Sequence, residues 1–319
     1  MIGASMIRIL APAKINLFLE LHRKRPDGYH ELETVMAAVE LFDELTLDPA
    51  DSPAAELDFS AEWDGDVVSS AEGVFGALPP TEKNLAFRAL ALLRRRVVET
   101  AGKALAPVRA SLLKRVPAEA GLGGASSDAA AAFLAGNAFW GLGLSRDELS
   151  GLAAELGSDV PFFLEGGWAI CRGRGELIEP LPDLPPIWVV IYRPPFGLST
   201  PKVYGRCVVP ETPERPDALL DALKRRDEDA LAGQLVNRLW APALEIEPRL
   251  GGIPKAFQDV GIRAHQMSGS GSSYFGITFD AERAQQAAQE LRSRLVGFVA
   301  AARGGTKNAC IDLGDTLSS

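Results

Sequence analysis

Residues 117–130 read PAEAGLGGASSDAA, between a strand-like run, VRASLLKRV, and an alanine-rich run that reads as a helix. A plain strand-to-helix turn needs one or two glycines. Gly121, Gly123 and Gly124 give a loop whose backbone can close on a ligand without side chains in the way. The loop feeds a helix N-terminus, where free N–H groups and the helix dipole favour an anion. The Ser126 and Ser127 hydroxyls can add hydrogen bonds to phosphate oxygens or reach a Mg2+ ion. The stretch fits a phosphate cradle. A plainer reading carries about the same weight on these residues alone: a flexible turn with Ser126 or Ser127 as N-cap and Asp128 complementing the dipole. Two other nucleotide loops are excluded. GLGGASS has no lysine, so it is no Walker loop, and it lacks the third Gly or Ala of the dinucleotide fingerprint.

Strands and helices alternate irregularly along the rest of the chain. RILAPAKINLFLEL reads as a strand, with Ile9, Ala11, Ala13, Ile15, Leu17, Leu19 and Leu21 on one face and Lys14, Asn16 and Glu20 on the other. RPDG at 25–28 reads as a turn, and ELETVMAAVELFDELTL as further strand. Residues 48–80 mix strand and loop signals. NLAFRALALLRRRVVETAG, 84–102, reads as an amphipathic helix stopped by glycine. In SRDELSGLAAEL, Ser145 and Glu148 form a capping box. GGWAICRGRGELIEPLPDLPP is broken by Gly and Pro and marks a domain boundary near residue 180. Beyond it, WVVIYRP reads as a strand. Helices are expected at 217–233 and 281–295, strands at 274–279 and 297–302, and a loose tail at CIDLGDTLSS. The pattern is α+β rather than doubly wound.

A net charge of −9 argues against a nucleic-acid partner. Cys171, Cys207 and Cys310 are far apart and no CxxC occurs, so neither a disulfide framework nor a zinc site is signalled, and a reducing cytoplasm fits. No apolar run approaches membrane-spanning length, and MIGASMIRIL lacks a signal-peptide layout.

Four further features bear on chemistry. MSGSGSSYFG, 267–276, is a second glycine- and serine-rich loop; alone it could be a hairpin or linker. Two such loops favour a shared polyanionic ligand. Asp159 lies between Gly157, which ends a helix, and Pro161; a turn-forming aspartate is the bland alternative. Lys14 and Asn16 share one strand face, which could simply be solvated. Tyr29, His30 and Tyr204 lie near turns and could be packing residues.

In this order and spacing, APAKINLFL, PDGYHELETVM, PAEAGLGGASSDAAA, LGSDVPFF and SGSGSSYFG resemble the GHMP small-molecule kinases, from about residue 8 to residue 305. AKINLFL and GYHxLxT are marks of the branch whose substrate is 4-diphosphocytidyl-2-C-methyl-D-erythritol, in the non-mevalonate isoprenoid precursor pathway. The resemblance implies two domains: a ribosomal-protein-S5-like one at 1–180 and a ferredoxin-like one at 181–319, with the active site in the cleft between. It implies ATP as co-substrate, with Mg2+, and a small-molecule partner rather than nucleic acid or membrane. Pro117, Ala118, Glu119, Ala120, Gly121, Leu122, Gly123, Gly124, Ala125, Ser126 and Ser127 match the loop that wraps the ATP phosphates. Asn84, Leu85 and Lys114 match the adenine pocket. Asp159 matches the catalytic aspartate and Lys14 its partner. Asn16 and Thr200 match substrate contacts, Tyr29 and Tyr204 the stackers of the cytosine ring, and His30 the reader of its edge. Ser268, Gly269, Ser270, Gly271 and Ser272 match a loop closing on the substrate diphosphate.

The match has departures. Glu119 replaces a residue that is usually small, Ala125 replaces a usual glycine, and NRLWAPAL at 237–244 stands where Asn-Asp-Leu-Glu is usual. Two alternatives stay in view: a homoserine- or mevalonate-type kinase, which has no use for a cytosine sandwich, and a non-catalytic ATP-binding sensor, which has no use for the Lys14–Asp159 pair.

Overall fold

The computed structural model describes residues 6–50, 56–69, 74–102 and 104–306. The tail with Cys310 lies outside these described residues. Two long antiparallel strands, β1 (Ile7–Lys24) and β2 (His30–Pro49), flank the RPDG turn. The other strands are β3 (Leu57–Trp63), β4 (Val108–Lys114), β5 (Trp168–Gly173), β6 (Leu177–Pro180), β7 (Ile187–Arg193), β8 (Val236–Asn237), β9 (Ala264–Met267), β10 (Tyr274–Thr278) and β11 (Phe298–Gly304). They join in one sheet with the path β3-β4-β2-β11-β7-β10-β9; β1 lies between β2 and β8, and β5 pairs with β2 and β6.

β1 organises the interior. Both its faces are buried from Ala11 to Leu21. Register shifts at Pro12/Ala13 and Asn16/Phe18 re-aim its side chains along its length. Ile9 and Ala11 enter a first core, with the helices Leu85–Ala101, Gly124–Phe139 and Arg146–Leu156. Ala13, Ile15 and Leu17 enter a second, with Leu122, β7 and the helix Asp217–Arg225. Leu19 and Leu21 enter a third, with the helices Ile253–Asp259 and Ala281–Arg294. Each fully buried Ile or Leu contributes roughly 1.5–3 kcal/mol, so all three cores pull on one strand and hold it still. Strand alternation allowed a solvated Lys14–Asn16–Glu20 face; instead these side chains are 4%, 2% and 0% exposed.

The helix Gly124–Phe139 runs through the first core. Ala129 to Ala132 are fully buried, and such small side chains let neighbouring elements approach closely. The Ser145–Glu148 capping box is present. The helix expected at 217–233 is two, Asp217–Arg225 and Glu228–Ala232, because Arg226 turns left-handed at φ 55° and Asp227 caps the second through Ala230 N. No described helix is long and apolar enough to cross a membrane.

Candidate active site

The helix after the first glycine loop starts at Gly124, and its N-cap is Gly123 at φ +71°. Ser126 and Ser127 lie inside it, so neither is the N-cap. Gly123 also needs to be small: a Cβ there would come within 2.8 Å of Phe163 and 2.9 Å of Lys14 Cγ. Gly121, at φ +72°, faces the second loop, and a Cβ would meet Ser268 O at 2.1 Å. The two glycine loops are fastened together. Ser268 Oγ donates to Gly121 O at 2.8 Å, and Ser273 N–H donates to Ala120 O at 3.1 Å. The second loop is the hairpin connection between β9 and β10. Part of the glycine content of both loops therefore serves their mutual contact.

β1 brings Lys14 against the first loop, where its N–H donates to Leu122 O at 2.9 Å. The Lys14 side chain is 5% exposed; its Nζ lies 3.7 Å from Asp159 Oδ2 and donates to Asn16 Oδ1. Asn16 Nδ2 donates to Thr34 Oγ1 at 2.9 Å, and Thr34 Oγ1 donates to Phe18 O at 2.6 Å. This chain of bonds fixes the Lys14 and Asn16 rotamers. Burial pushes the Lys14 ammonium below the ordinary lysine range, and the Asp159 charge opposes that shift. Asp159 precedes the helix Val160–Glu165 and its side chain makes no capping bond. Pro161 opens this helix as well as following the one that ends at Gly157. The Asp159 carboxylate is 33% exposed, so it is held by its backbone and free toward solvent.

These groups line a cleft of about 920 Å³. Lys14, Asn16 and Asp159 meet Glu119, Gly121, Gly123 and Ser126 of the first loop and Gly269 and Ser270 of the second. Tyr29, His30, Thr200 and Tyr204 line it too. Thr200 and Ser270 share a hydrogen bond of 2.7 Å between their hydroxyls. The His30 and Tyr204 rings lie 5.7 Å apart at 32°. Burial, then the Lys24 charge, lowers the His30 pKa, which favours the neutral ring with one donor and one acceptor. Pro117, Ala120, Leu122, Gly124 and Ser127 are buried and do not line the cleft, and neither do the buried Ser268, Gly271 and Ser272; half-buried Ala118 and exposed Ala125 do not line it either. Ser272 Oγ donates to Phe196 O at 2.5 Å.

Asn84, Leu85 and Lys114, expected at an adenine pocket, also do not line this cleft. Asn84 caps the helix Leu85–Ala101 by accepting from Ala86 N at 2.9 Å, and Leu85 is that helix's first residue. Lys114 lies beneath the first loop, buried between Asp43 and Asp128, with Asp128 Oδ2 at 2.6 Å. Asp43 Oδ1 also accepts from Val116 N–H at 2.8 Å. Burial opposes the Lys114 charge, but the two carboxylates outweigh it and its pKa rises; burial pushes the Asp128 carboxyl well above the usual range. Both carboxyls thus meet on one ammonium, with the Lys114 side chain 7% exposed.

Glu119 adopts a left-handed backbone at φ 50°. A Cβ added at Gly197 would lie 3.5 Å from Arg193 Nη2 and 3.6 Å from Glu119 Oε2, so the two charges flank that glycine. Arg193 is buried; it donates to Ala118 O at 3.4 Å and to the Pro194 and Phe196 carbonyls. The negative charge that Glu119 brings to the loop therefore has a nearby cation. At the altered 237–240 segment, Arg238 pairs with the fully buried Glu20, donating to its Oε1 at 2.7 Å and to its Oε2 at 2.5 Å. Its unusual charge is satisfied on β1. Sequence reasoning missed Arg174, Lys24 and Cys207 in the cleft wall. For Arg174 the only sequence signal was CRGRGELI, a charged Gly-rich run that also reads as loop.

Residues 84–167 match the model of the GHMP kinases N-terminal domain, and residues 208–297 that of the GHMP kinases C-terminal domain. A 4-diphosphocytidyl-2-C-methyl-D-erythritol kinase of Pelotomaculum thermopropionicum is 41% identical over 90% of this chain and 94% of its own length. The enzyme of the same name from Shouchella clausii is 40% identical over 89% of this chain and 90% of its own length. Among solved structures, a 4-(cytidine 5'-diphospho)-2C-methyl-D-erythritol kinase is 39% identical, covers 94% of this chain and 99% of its own, and superposes with a TM-score of 0.76. A homoserine kinase from Cytophaga hutchinsonii shares the fold at 21% identity and a TM-score of 0.70. This chain belongs to the GHMP kinase family.

Proposed function

We propose that this chain transfers the γ-phosphoryl group of ATP to the 2-hydroxyl of 4-diphosphocytidyl-2-C-methyl-D-erythritol. The observation that carries the reading is one continuous cleft. It has the Lys14–Asp159 pair and both glycine loops in its wall, and His30, Tyr29 and Tyr204 in the same wall. The relatives that bear this substrate's name match over nine-tenths of the chain. A homoserine- or mevalonate-type substrate has no cytosine for the aromatic residues to hold. The test is a substrate panel with ATP, followed by ADP release: the cytidylated alcohol is expected to support turnover, and homoserine and mevalonate are not. Turnover with either of those instead overturns the assignment.

Asp159 accepts the proton of the attacking hydroxyl, or orients it, as the oxygen meets the γ-phosphorus. Lys14 offsets the charge gathering on the entering oxygen and the moving phosphoryl group. Asn16, fixed by Thr34, hydrogen-bonds the alcohol from the same strand face. Loop N–H groups at the start of the helix Gly124–Phe139 receive the triphosphate. Among the described residues no three His, Cys, Asp or Glu side chains converge on a metal site. Among the described residues the Ser127 hydroxyl is buried without a hydrogen-bond partner, and Ser126 lines the cleft. The Ser126 hydroxyl suits a hard cation that arrives on the triphosphate and keeps most of its waters. Bound there, Mg2+ would neutralise charge on the β- and γ-phosphate oxygens.

Two expected results follow. Tyr204→Ala removes a ring that is half-buried against His30. With base stacking worth roughly 1–3 kcal/mol, KM for the cytidylated alcohol should rise about 10- to 100-fold and KM for ATP stay within about twofold. An ATP effect of equal size would assign Tyr204 to the fold rather than the base. Glu119→Gln keeps the backbone and removes one charge beside the triphosphate. Because a unit charge pair near solvent is worth about 1 kcal/mol, KM for ATP should fall by roughly two- to fivefold. Steady-state kinetics at varied ATP checks this; an unchanged KM would mean that Arg193 already cancels the charge.

A further inference from the structure

The cleft wall also holds a cation that no motif announces. Arg174 sits at the tip between β5 and β6. Its N–H donates to Glu176 Oε2 at 2.6 Å, and the Gly175 N–H returns to Arg172 O at 3.0 Å. The tip is therefore a built turn. The Arg174 side chain is only 30% exposed, and its guanidinium lies over the Tyr29 ring, 5.2 Å from the centroid. Tyr29 belongs to a different hairpin, the turn between β1 and β2, and is 55% exposed. Two hairpin tips thus face each other at the cleft, with the Arg174 guanidinium over the Tyr29 ring and its charge felt by Asp27.

A cytidine-diphosphate-linked alcohol needs a ring surface for its base and positive charge for its diphosphate. The lysine and arginine side chains lining the cleft are Lys14, Lys24 and Arg174. Lys14 is engaged by Asp159 and Asn16. Lys24 ends β1 opposite His30 and offers a point charge on a flexible stem. Arg174 has its ion pair, among the described residues, with Glu176 through Nε at 3.6 Å. Asp27 of the facing tip feels the Arg174 charge but makes no ion pair with it among the described residues, and a planar guanidinium fork matches two phosphate oxygens at once. A chain of net charge −9 gains from such a local cation when its ligand is anionic.

Resting on the cytidine-diphosphate reading above, we propose that Arg174 is a specificity-determining residue: its guanidinium steadies the Tyr29 ring that receives the base and pairs with the substrate diphosphate. The residue thereby favours a nucleoside diphosphate over the monophosphate and the free nucleoside. The cation–ring contact alone is a small effect at an exposed site; the phosphate contact carries the discrimination.

The test is calorimetric titration of CDP, CMP and cytidine into the full chain, with a non-hydrolysable ATP analogue saturating the ATP subsite. Wild type, Arg174→Ala and Arg174→Lys are compared. Arg174→Ala should weaken CDP about tenfold or more, the scale of a charge-assisted phosphate contact, and cytidine by less than about threefold. CMP should fall between, and Arg174→Lys should recover part of the CDP affinity. Unchanged CDP binding in Arg174→Ala overturns the proposal and leaves the substrate reading standing. An equal loss for all three ligands also overturns it, because that result assigns Arg174 to ring support alone. Wild type that binds none of the three overturns the cytidine reading itself, and this proposal with it.

Discussion

Asp159→Asn is expected to lower kcat by roughly 10²- to 10⁴-fold, the usual scale of a positioned acid–base group. The substitution keeps the shape of the side chain and its place before the helix Val160–Glu165. It removes the group that can take or orient the substrate proton, and it removes the anion 3.7 Å from Lys14 Nζ. The second effect compounds the first. Burial already lowers the Lys14 pKa, and the Asp159 charge is what opposes that shift. Without it, the ammonium that offsets phosphoryl charge is harder to keep. Calorimetry should find ATP binding within about threefold of wild type, because Asp159 precedes a different helix from the one that follows the phosphate loop. A fall in kcat of less than about tenfold would remove Asp159 from the chemistry.

Lys114→Met should cost about 3–5 kcal/mol of stability, the scale of stripping one partner from a buried ionic cluster. Asp43 and Asp128 are both buried, and Lys114 is the cation between them. Asp43 Oδ1 anchors the backbone of Arg115 and Val116, just before the phosphate loop, and Asp128 lies in the helix that follows. The cluster thus ties both ends of the loop together from below. Denaturant unfolding measures the loss, and adding Asp128→Asn to the variant should recover part of it. The pH dependence has a definite sign. Burial raises the Asp128 pKa in the folded state, so its contribution to stability is present below the unfolded value and is lost as pH rises toward the folded one. Lys114 opposes that rise, so its removal raises the Asp128 pKa further and the variant loses more stability than wild type as pH rises; its deficit should be smaller at pH 5 than at pH 8. A Lys114→Met protein as stable as wild type, but with weakened ATP binding, would return Lys114 to the nucleotide.

Much of the site could be read from local sequence because its parts are local devices. A glycine loop entering a helix and two polar residues on one strand face each say what they can do before any fold is known. The strand face shows where such reading stops. Lys14 and Asn16 do share a side, but alternation cannot say whether water or protein covers it. Here three cores and the first glycine loop close over β1, and the covering residues include ones from distant segments, such as Leu122 against Lys14 and Phe257 in the core of Leu19 and Leu21. The glycines show the same limit. A need for small residues at 121 and 123 was legible, but the atoms that impose it, Ser268 O and Phe163, belong to other segments. Pro201 and Pro254 open the short helices Thr200–Gly205 and Ile253–Asp259, elements too brief for apolar periodicity to announce. In GGWAICRGRGELIEPLPDLPP, glycine and proline hid β5 and β6, and with them Arg174. The 48–80 region, mixed in its signals, holds β3, whose parallel pairing with β4 no local pattern specifies.

The central claim is a position as well as a reaction: ATP's γ-phosphoryl group lands on the 2-hydroxyl of the cytidylated methylerythritol. That carbon carries no hydrogen, whereas every other free alcohol of the substrate sits on a carbon that does. Proton-coupled phosphorus-31 NMR of the reaction mixture separates them. The predicted result is a new phosphomonoester signal, unsplit by any carbinol proton, that grows as ADP forms and is absent with Asp159→Asn over the same time. A monoester signal split by carbinol protons, or no new ester from folded protein that binds ATP, would contradict it.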